Sequence, residues 1–402
     1  MKTERITKDL ARAAELIRAG RLVAVPTETV YGLAANALDE RAVREIYDVK
    51  GRPAVKPLSI MISGRGAMEK YCDPVPPQAA LLAEKLWPGP LTIVLNARDV
   101  VPDIVRAGGA TVGLRCPDHA LTLEAIRLAG VPLAAPSANP SGADSPKNAD
   151  KVLEYFDGKI SAVIDGGECG IGRESTLIDM SAAPYKILRP GALSADEIAD
   201  ALVSGMTVVG LTGGTGTGKT TALETLADLG ALTLDCDAIY HRLLRTDSGL
   251  IAAIGAAFPA AVIDGAVDTK ALGRIVFADA EALAHLNALT HEFILAETRR
   301  LLRAHAMSGG TLAAIDAVEL ISSGAGAMCD FTVGVVAARE RRIDRICARD
   351  GISREYAALR LDAQRPDEYY YHNCDFVLHN DGTKAEFAAE CIKLFTEEMK
   401  NE

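Results

Sequence analysis

The stretch Gly210–Thr221, GLTGGTGTGKTT, decides the fold of the second half of the chain. Gly213, Gly218, Lys219 and Thr220 fit the pattern G-x-x-x-x-G-K-[ST], with an apolar strand pattern before it and a helical pattern after it. Glycines let successive backbone N–H groups turn inward around phosphate oxygens, and the following helix adds the positive end of its dipole. The stretch therefore predicts a phosphate-binding loop that opens an α/β domain.

Each residue of this loop has an expected task on ATP. Lys219 is expected to bridge the β- and γ-phosphates, and the Thr220 hydroxyl is expected to ligate Mg²⁺. The remaining positions should hold phosphate oxygens through the backbone or a hydroxyl: Gly213, Gly214, Gly216, Gly218 and Thr221. The alternative is a glycine-rich turn that binds nothing, which the strand and helix on either side make improbable.

The next strand pattern, LDCDAIY, ends with two carboxylates, Asp235 and Asp237. Ligands bind at the carboxyl ends of strands in open α/β sheets, so either group can take a proton from a phosphoryl acceptor or hold Mg²⁺ through water. The alternative for either residue is a helix N-cap. Further strand and helix patterns alternate to the end of the chain, as expected of a parallel, doubly wound sheet.

Length and composition predict two domains in a protein of the cytoplasm. The chain has 402 residues, of which 49% are hydrophobic, and a net charge of −11 that divides into −2 before residue 206 and −9 after it. Neither half has the basic excess of a dedicated nucleic-acid binder.

The eight cysteines form no CxxC pair, which favours free thiols over zinc. The charged N-terminus is unlike a signal peptide, and no apolar run reaches the roughly 18 residues of a membrane span, so we expect no membrane partner.

The first half alternates short strand patterns with fewer helical ones. The segment DERAVREIYDVKG predicts a helix with Asp39 as N-cap and Gly51 as the stop, and SADEIADALVSG predicts the last helix of this half. Short strands outnumbering helices indicate a twisted α/β sheet that is partly antiparallel. Because only Ser204–Met206 separate the last helix from the next strand, we expect domains at residues 1–204 and 205–402.

Three polar clusters of the first half follow strand or helix patterns: PTETVYGL (26–33), KGRPAVKPL (50–58) and PSAN (136–139). Cations beside prolines on a rigid loop suit a polyphosphate, although alone such a loop can equally be a solvated surface. Hydroxyl and amide side chains at strand ends suit a small polar ligand. Since His119 is the only histidine of this half, we expect chemistry by positioning, electrostatics and a metal carried in with the nucleotide.

The second half resembles dephospho-CoA kinase over essentially all of residues 206–402, through the loop, LDCDAIYHRLL, RRIDRICARDGISREYAALRLDAQ and CDFVLHNDG. The resemblance implies transfer of the ATP γ-phosphate to the ribose 3′-hydroxyl of dephospho-CoA, with Asp237 as base and Asp235 beside it. It also implies lid-like helices that close over ATP and carry Arg345, Arg349, Arg360 and Gln364.

Three departures from that family fall on its acceptor side. Thr269, followed by Lys270, replaces an arginine; His291 is followed by Glu292 where the family has proline; and Glu319 is expected to be the only acid near the altered IDAVELISSG segment. The acceptor therefore stays open between dephospho-CoA and another small molecule. A nucleotide sensor without turnover is a further alternative.

The first half resembles the Sua5/YrdC family over about residues 8–203, through its clusters taken in order. The resemblance implies a threonylcarbamoyl-AMP synthase that converts L-threonine, bicarbonate and ATP into threonylcarbamoyl-AMP and pyrophosphate. The adenylate serves N6-threonylcarbamoyladenosine formation in tRNA by a separate transferase. The implied nucleotide-binding residues, with Lys50 and Arg52 also assigned to catalysis, are Lys50, Arg52, Lys56, Ser137, Asn139 and Arg189.

The same resemblance implies a threonine site at Thr27, Tyr31, Arg115 and Ser175, with Arg115 pairing the carboxylate. No tightly bound organic cofactor is expected; Mg²⁺ would enter with ATP. The alternative is a tRNA-binding module of this fold without catalysis, against which the near-neutral charge of the first half argues mildly.

Overall fold

The structure, a computed structural model, describes residues 2–398. The chain divides into two compact units at Gly205 and Met206, with Met307–Gly309 grouped with the first unit. Each unit has its own sheet, and both are of the α/β class expected from the sequence.

The first unit is built on one ten-stranded mixed sheet with the order β1-β8-β2-β3-β7-β4-β6-β5-β9-β10. Its pairs β1/β8, β2/β8, β4/β6 and β5/β9 are parallel, and the other five are antiparallel. The strands are β1 Glu4–Ile6, β2 Val23–Val25, β3 Gly32–Asn36, β4 Ser59–Met61, β5 Leu91–Asn96, β6 Thr111–Arg115, β7 Leu133–Ala134, β8 Ala162–Ile164, β9 Thr176–Asp179 and β10 Lys186–Arg189.

Eight α-helices accompany this sheet, more than the few expected. They are α1 Leu10–Arg18, α2 Glu40–Lys50, α3 Met68–Tyr71, α4 Pro77–Leu86, α5 Asp103–Arg106, α6 Ala120–Ala129, α7 Ala149–Phe156 and α8 Ala195–Val203, with a 3₁₀ turn at Arg65–Ala67. The helices α3, α5 and α7 span only four to eight residues, so each has about two turns or fewer in which an apolar helical pattern could be recognised in the sequence. Helix α6 lies in a mostly apolar segment that does not separate a helix from a strand by period alone.

The predicted ends of α2 are confirmed. The Asp39 side chain accepts hydrogen bonds from the backbone N–H groups of Arg41 and Ala42, and Gly51 ends the helix at φ 59°. The segment PLAAPSAN (132–139), whose pattern also predicts a strand, forms one only at Leu133–Ala134, and after it only Ser137 makes an isolated bridge, to Gly32. This irregular end carries the polar residues of the cluster into a cavity described below.

The second unit contains a five-stranded parallel sheet with the order β12-β15-β11-β16-β17. The first strand is central, and the chain adds strands on one side and then on the other, as in the doubly wound fold predicted. The strands are β11 Thr207–Thr212, β12 Leu232–Asp235, β13 Val262–Ile263, β14 Ala266–Val267, β15 Leu312–Asp316, β16 Phe331–Val336 and β17 Phe376–His379, of which β13 and β14 form a separate antiparallel pair.

The helices of this unit cover the sheet and build a long helical segment between β12 and β15. They are α9 Lys219–Asp228, α10 Cys236–Thr246, α11 Ser248–Ala257, α12 Thr269–Val276, α13 Ala280–Met307, α14 Arg339–Asp350, α15 Arg354–Asp362, α16 Asp367–Asn373 and α17 Lys384–Lys393. Short 3₁₀ turns occur at Pro259–Ala261 and Ala325–Met328, and a π-helical turn at Leu394–Glu398. One core packs Val209, Leu211 and Val333 of the sheet against Leu226 of α9 and Phe387 of α17.

Candidate functional sites

The phosphate loop follows β11 and leads into α9, the context that its motif requires. Gly213 has φ 146°, and a Cβ built on it would lie 2.4 Å from the Val335 carbonyl oxygen. Gly218 has φ 101° and is the N-cap of α9, so its N–H groups and those of the first helical turn can face a ligand. The positive φ angles and close contacts at these two positions require glycine, which explains why the motif has glycine at both.

Lys219 lies half-buried among charged side chains at the carboxyl edge of the sheet. Its ammonium donates to the Gly213 carbonyl oxygen at 2.8 Å. Burial lowers the pKa of Lys219, while the charges of Asp316, Asp237 and Asp235 oppose that shift. The three carboxylates are thus close enough to influence the charge of the lysine.

Asp316 is a site residue that the sequence analysis missed. It ends β15 and stands in register with Asp235 on the neighbouring strand β12. Burial raises the pKa of Asp316 to about 6, and its Oδ1 is buried without a hydrogen-bond partner. The expectation that Glu319 is the only acid in this segment is therefore wrong. The signal was present in LAAID, an apolar strand that ends in an acid beside the loop strand.

The two predicted carboxylates after β12 differ in their local roles. Asp235 is the N-cap of α10, where its Oδ1 accepts from the N–H groups of Asp237 at 2.9 Å and Ala238 at 3.0 Å. Asp237 lies in the first turn of α10 and lines a cavity beside the loop. The capping alternative thus applies to Asp235, and Asp237 is the carboxylate directed to that cavity.

Side chains from the lid-like helices contact the tip of the phosphate loop. Arg345 donates to the carbonyl oxygens of Gly216 at 3.2 Å and Thr217 at 3.3 Å. Gln364 accepts from the Thr215 N–H at 2.9 Å and donates to its hydroxyl at 2.8 Å. Arg349 and Arg360 instead pair with Asp350, each at 2.7 Å, and make no contact with the loop among the hydrogen bonds and ion pairs of the described residues.

Two loop contacts come from residues that the sequence analysis did not assign. Arg342 donates from Nε to the Thr215 carbonyl oxygen at 3.1 Å and from Nη2 to Gln364 at 2.8 Å. Asn380, after β17, donates to the Thr217 carbonyl oxygen at 2.8 Å. Arginines at the spacing of one helical turn, Arg342 and Arg345, were the available signal for the first of these.

A cavity of about 410 Å³ opens beside Asp237. Its walls include apolar side chains of α12 and α13, together with Thr269, His291 and Glu319. Burial lowers the pKa of His291, and the nearby Glu319 charge opposes this shift. Two of the segments that depart from the family pattern, at Thr269 and at Glu319, thus reach the same cavity as Asp237, whereas Glu292 does not line it.

The first unit contains a polar cavity of about 400 Å³. It is lined by nine of the ten predicted residues of this half: Tyr31, Lys50, Arg52, Lys56, Arg115, Ser137, Asn139, Ser175 and Arg189. Thr27 is the exception and lies outside the lining. Residues distant in sequence therefore meet at one site that carries several cations.

On the cation-rich side of this cavity, Lys50 is the most buried charge. Its ammonium donates to the carbonyl oxygens of Ser137 and Asn139, which joins the end of α2 to the PSAN segment. Burial lowers the pKa of Lys50 to about 8. The Asn139 Oδ1 is buried without a partner, so this wall keeps an acceptor for a ligand N–H or O–H. Arg52 donates to the carbonyl oxygens of Lys56 and Pro57 and shapes the neighbouring loop.

Elsewhere in the cavity, Arg189 and Ser175 are hydrogen-bonded to each other, whereas the hydrogen bonds of Arg115 go to Glu28 and Thr29. Arg189 donates to the Ser175 hydroxyl at 3.2 Å and pairs with Glu174 at 2.5 Å. Arg115 donates to Glu28 at 2.8 Å. The Tyr31 hydroxyl donates to the Gly167 carbonyl oxygen at 2.8 Å and accepts from the N–H of Gly166, and burial raises its pKa to about 12.

Within residues 2–398, no group of three or more His, Cys, Asp or Glu side chains has the arrangement of a metal site. The residues beside the phosphate loop nevertheless suit a Mg²⁺ that shares its ligands with phosphates. The buried Asp316 oxygen without a partner and the hydroxyl of Thr220 are hard oxygen donors of the kind that Mg²⁺ takes. No helix in the part of the chain that the structure describes is long and apolar enough to cross a membrane.

Two family models match the chain, one in each unit. Residues 15–191 match the Sua5/YciO/YrdC model, described as telomere recombination, and residues 207–386 match the model described as dephospho-CoA kinase. The two matches lie on either side of the division between the compact units.

Characterised relatives match one half of the chain at a time. The first half is 52% identical over 186 residues to the threonylcarbamoyl-AMP synthase of Pyrococcus abyssi, covering 46% of this chain and 55% of that protein. It is 36% identical over 194 residues to the threonylcarbamoyl-AMP synthase of Mus musculus, covering 46% of this chain and 68% of that protein. A dephospho-CoA kinase structure from Campylobacter jejuni is 26% identical, with a TM-score of 0.37, and covers 48% of this chain and 98% of that chain. The chain spans about half the length of the Pyrococcus relative.

Proposed function

The chain belongs to the Sua5/YciO/YrdC family through residues 15–191 and carries a dephospho-CoA kinase domain at residues 207–386, and we propose that it is a bifunctional enzyme. The first domain, residues 1–204, forms threonylcarbamoyl-AMP and pyrophosphate from L-threonine, bicarbonate and ATP. The second, residues 205–402, phosphorylates the 3′-hydroxyl of dephospho-CoA to give CoA.

The synthase proposal depends on one observation: a single cavity is lined by the four predicted nucleotide-binding cations and by three of the four predicted threonine-binding residues, Tyr31, Arg115 and Ser175. The products require a bond between a carbamate oxygen and the α-phosphorus of ATP, and pyrophosphate must leave with its charge. Lys50, Arg52, Lys56 and Arg189 supply positive charge to the phosphates, and Arg115 binds the threonine carboxylate. Ser137, Asn139 and Ser175 supply polar groups that orient the two substrates.

The kinase proposal depends on the position of Lys219 among three carboxylates beside the acceptor cavity. Lys219 and the loop N–H groups hold the β- and γ-phosphates, with Thr221 and the glycines of the loop around them. Asp237, which lines the acceptor cavity, accepts the proton of the attacking hydroxyl. Arg345, which contacts the tip of the phosphate loop, supplies charge to the transferred phosphoryl group when the lid helices close.

Mg²⁺ enters with ATP and would be held by Thr220 and Asp316, where it supplies positive charge to the phosphate oxygens. Asp235 fixes the start of α10 and thereby the position of Asp237. Thr269, His291 and Glu319, which line the cavity, contact the acceptor. The adenylate passes to the tRNA-modifying transferase, and the location is the cytoplasm, where all eight cysteines remain free thiols.

Mass spectrometry of products after incubation with ATP, L-threonine, bicarbonate and dephospho-CoA tests both reactions together. We expect threonylcarbamoyl-AMP with pyrophosphate, and CoA with ADP. Omitting threonine should remove only the first pair, and omitting dephospho-CoA only the second. ATP binding without CoA formation would favour the nucleotide sensor, and salt-dependent tRNA binding without adenylate formation would favour the tRNA-binding module.

A further inference from the structure

We propose that Glu28 is a positioning residue for Arg115. Its carboxylate, with the Thr29 hydroxyl, fixes one guanidinium nitrogen of Arg115 so that the other N–H groups can bind the α-carboxylate of the amino-acid substrate. This inference rests on the proposed synthase function and adds to it a residue that the predicted site does not contain.

The protein holds the guanidinium of Arg115 through one of its nitrogens, Nη2. Arg115 is the last residue of β6, and its Nη2 lies 2.8 Å from the Glu28 carboxylate and 2.8 Å from the Thr29 hydroxyl. The side chains of Arg115 and Glu28 are 8% and 13% exposed. Arg115 Nε is buried without a partner, and Arg115 lines the polar cavity. Since Nη2 uses both of its N–H groups within the protein, Nη1, which makes no hydrogen bond to the described residues, remains as a donor for a ligand.

Both carboxylate oxygens of Glu28 are engaged within the protein. One carboxylate oxygen accepts from Arg115, and the other accepts from the Asp118 N–H at 3.1 Å. Glu28 is also absent from the lining of the cavity, whereas Arg115 is part of it. An effect of Glu28 on substrate binding must therefore pass through Arg115.

Thr29 and Thr27 continue the hydrogen-bonded chain that begins at Arg115, and each bond in it has a defined donor and acceptor. A guanidinium only donates and a carbonyl oxygen only accepts, so Thr29 accepts from Arg115 and Thr27 donates its proton to the Val30 carbonyl oxygen at 2.6 Å. Thr29 therefore gives its own proton to the Thr27 oxygen, 2.8 Å away. The Thr27 oxygen also accepts from the N–H groups of Thr29 and Val30. Its hydroxyl is fully used, so Thr27 acts on the threonine site through Arg115 too.

This arrangement has a physical advantage for binding a small zwitterion. A buried guanidinium without a partner is strongly unfavourable, and Glu28 allows Arg115 to stay in place before the substrate arrives. Because the side chain is already ordered, binding loses less conformational entropy. Loss of Glu28 should thus weaken recognition of the carboxylate and leave the nucleotide side unchanged.

The test compares L-threonine with L-threoninamide, which lacks the carboxylate charge, by calorimetric binding to the full chain. In Glu28→Gln we expect the Kd and KM for threonine to rise about 10- to 100-fold, the effect of a lost charge-assisted hydrogen bond. The threoninamide Kd, the KM for ATP and kcat should each change by less than about twofold, because none depends on the carboxylate. Thr29→Val should act in the same direction more weakly, and Thr29→Ser should restore threonine binding because it keeps the hydroxyl. Glu84→Gln, which removes an exposed partner of Arg65, is the matched control for loss of a glutamate charge.

A rise in the threoninamide Kd equal to that for threonine would overturn the proposal, because it would mean general damage. A loss in kcat with unchanged threonine binding would overturn it as well. Thr29→Val buries no new charge and so tests the same contact if Glu28→Gln folds poorly. Failure of the proposed synthase function has a different signature, since the unaltered chain would then form no threonylcarbamoyl-AMP.

Discussion

Burial moves the pKa of Lys50 and the pKa of Asp316 toward neutrality, one at each proposed site. The pKa of Lys50 is lowered to about 8, and that of Asp316 is raised to about 6. At pH 7 both are still mainly charged, Lys50 as a cation and Asp316 as an anion. Lys50 should therefore lose its positive charge above about pH 8, and Asp316 should lose its negative charge below about pH 6.

For Lys50 we predict that the synthase kcat/KM for ATP falls as pH rises above about 8. The lowered pKa means that the ammonium is present below this pH and is lost above it, and the free-enzyme pKa appears in kcat/KM. Pyrophosphate release at saturating threonine measures this without interference from the kinase, which releases ADP. Lys50→Arg keeps its charge, so any residual activity of that variant should not show the decline; a flat profile in the unaltered chain would contradict the prediction.

For Asp316 we predict that Asp316→Asn lowers kinase kcat by about 100-fold or more, since it removes the proposed carboxylate ligand of the Mg²⁺ that accompanies ATP. CoA formation measures the loss, and adenylate formation by the same sample is the internal control for folding. Asp228→Asn, at the exposed end of α9, is the matched substitution and should leave the kinase rate unchanged. Full kinase activity in Asp316→Asn would remove this residue from the site.

At the scale of elements, α14 separates into one turn that contacts the phosphate loop and one that does not. The Arg342 side chain is 8% exposed and ties Thr215 to Gln364, whereas Arg349 is 59% exposed and pairs with Asp350. The sequence analysis named Arg345 and Arg349, which also lie about one turn apart. Which arginines face the loop depends on the rotation of the helix against it, and a basic helix with arginines on all faces does not reveal that rotation.

From this difference we predict that Arg342→Ala lowers kinase kcat/KM for ATP about tenfold, because it removes the support of the Thr215 turn. Arg349→Ala should lower it less than about threefold, since it breaks only an exposed ion pair. The two rates are compared in ADP release with dephospho-CoA as acceptor. If Arg349→Ala is the more damaging change, the lid must rearrange on ATP binding and bring Arg349 to the phosphates.

At the scale of the whole molecule, the chain has two units, each with its own sheet and its own candidate site. Arg52 and Lys219 belong to different units, and no residue is shared between the two cavities. The activities are therefore expected to be separable by single substitutions.

We predict that Lys219→Ala abolishes CoA formation and leaves adenylate formation within about twofold, and that Arg52→Ala does the reverse. Each loss follows from removal of a cation at the phosphates of one ATP only. Both products are measured in one incubation, and thermal unfolding of each variant checks that the domains remain folded. Loss of both activities by either change in a folded chain would contradict independent domains.

The sequence by itself determined the two α/β units and the phosphate loop, and it named most of the residues that the structure brings together at the two candidate sites. These follow from patterns that are local in the chain: apolar periods, glycines in a fixed spacing, and polar residues at strand ends. It did not reveal helices as short as α7, because two turns hold too little of the helical period. It also missed Asp316, whose place beside Lys219 depends on strand order.

Only the tertiary structure decided which of these residues act on one another. Strand order brings β15 next to β12 and β11, and so sets Asp316 beside Asp235 and the loop. The pairing of β6 with its neighbours and the turn after β2 place Glu28 behind Arg115, 87 positions apart in sequence. Such contacts are non-local, and their burial and pKa shifts arise from the surroundings that the fold creates.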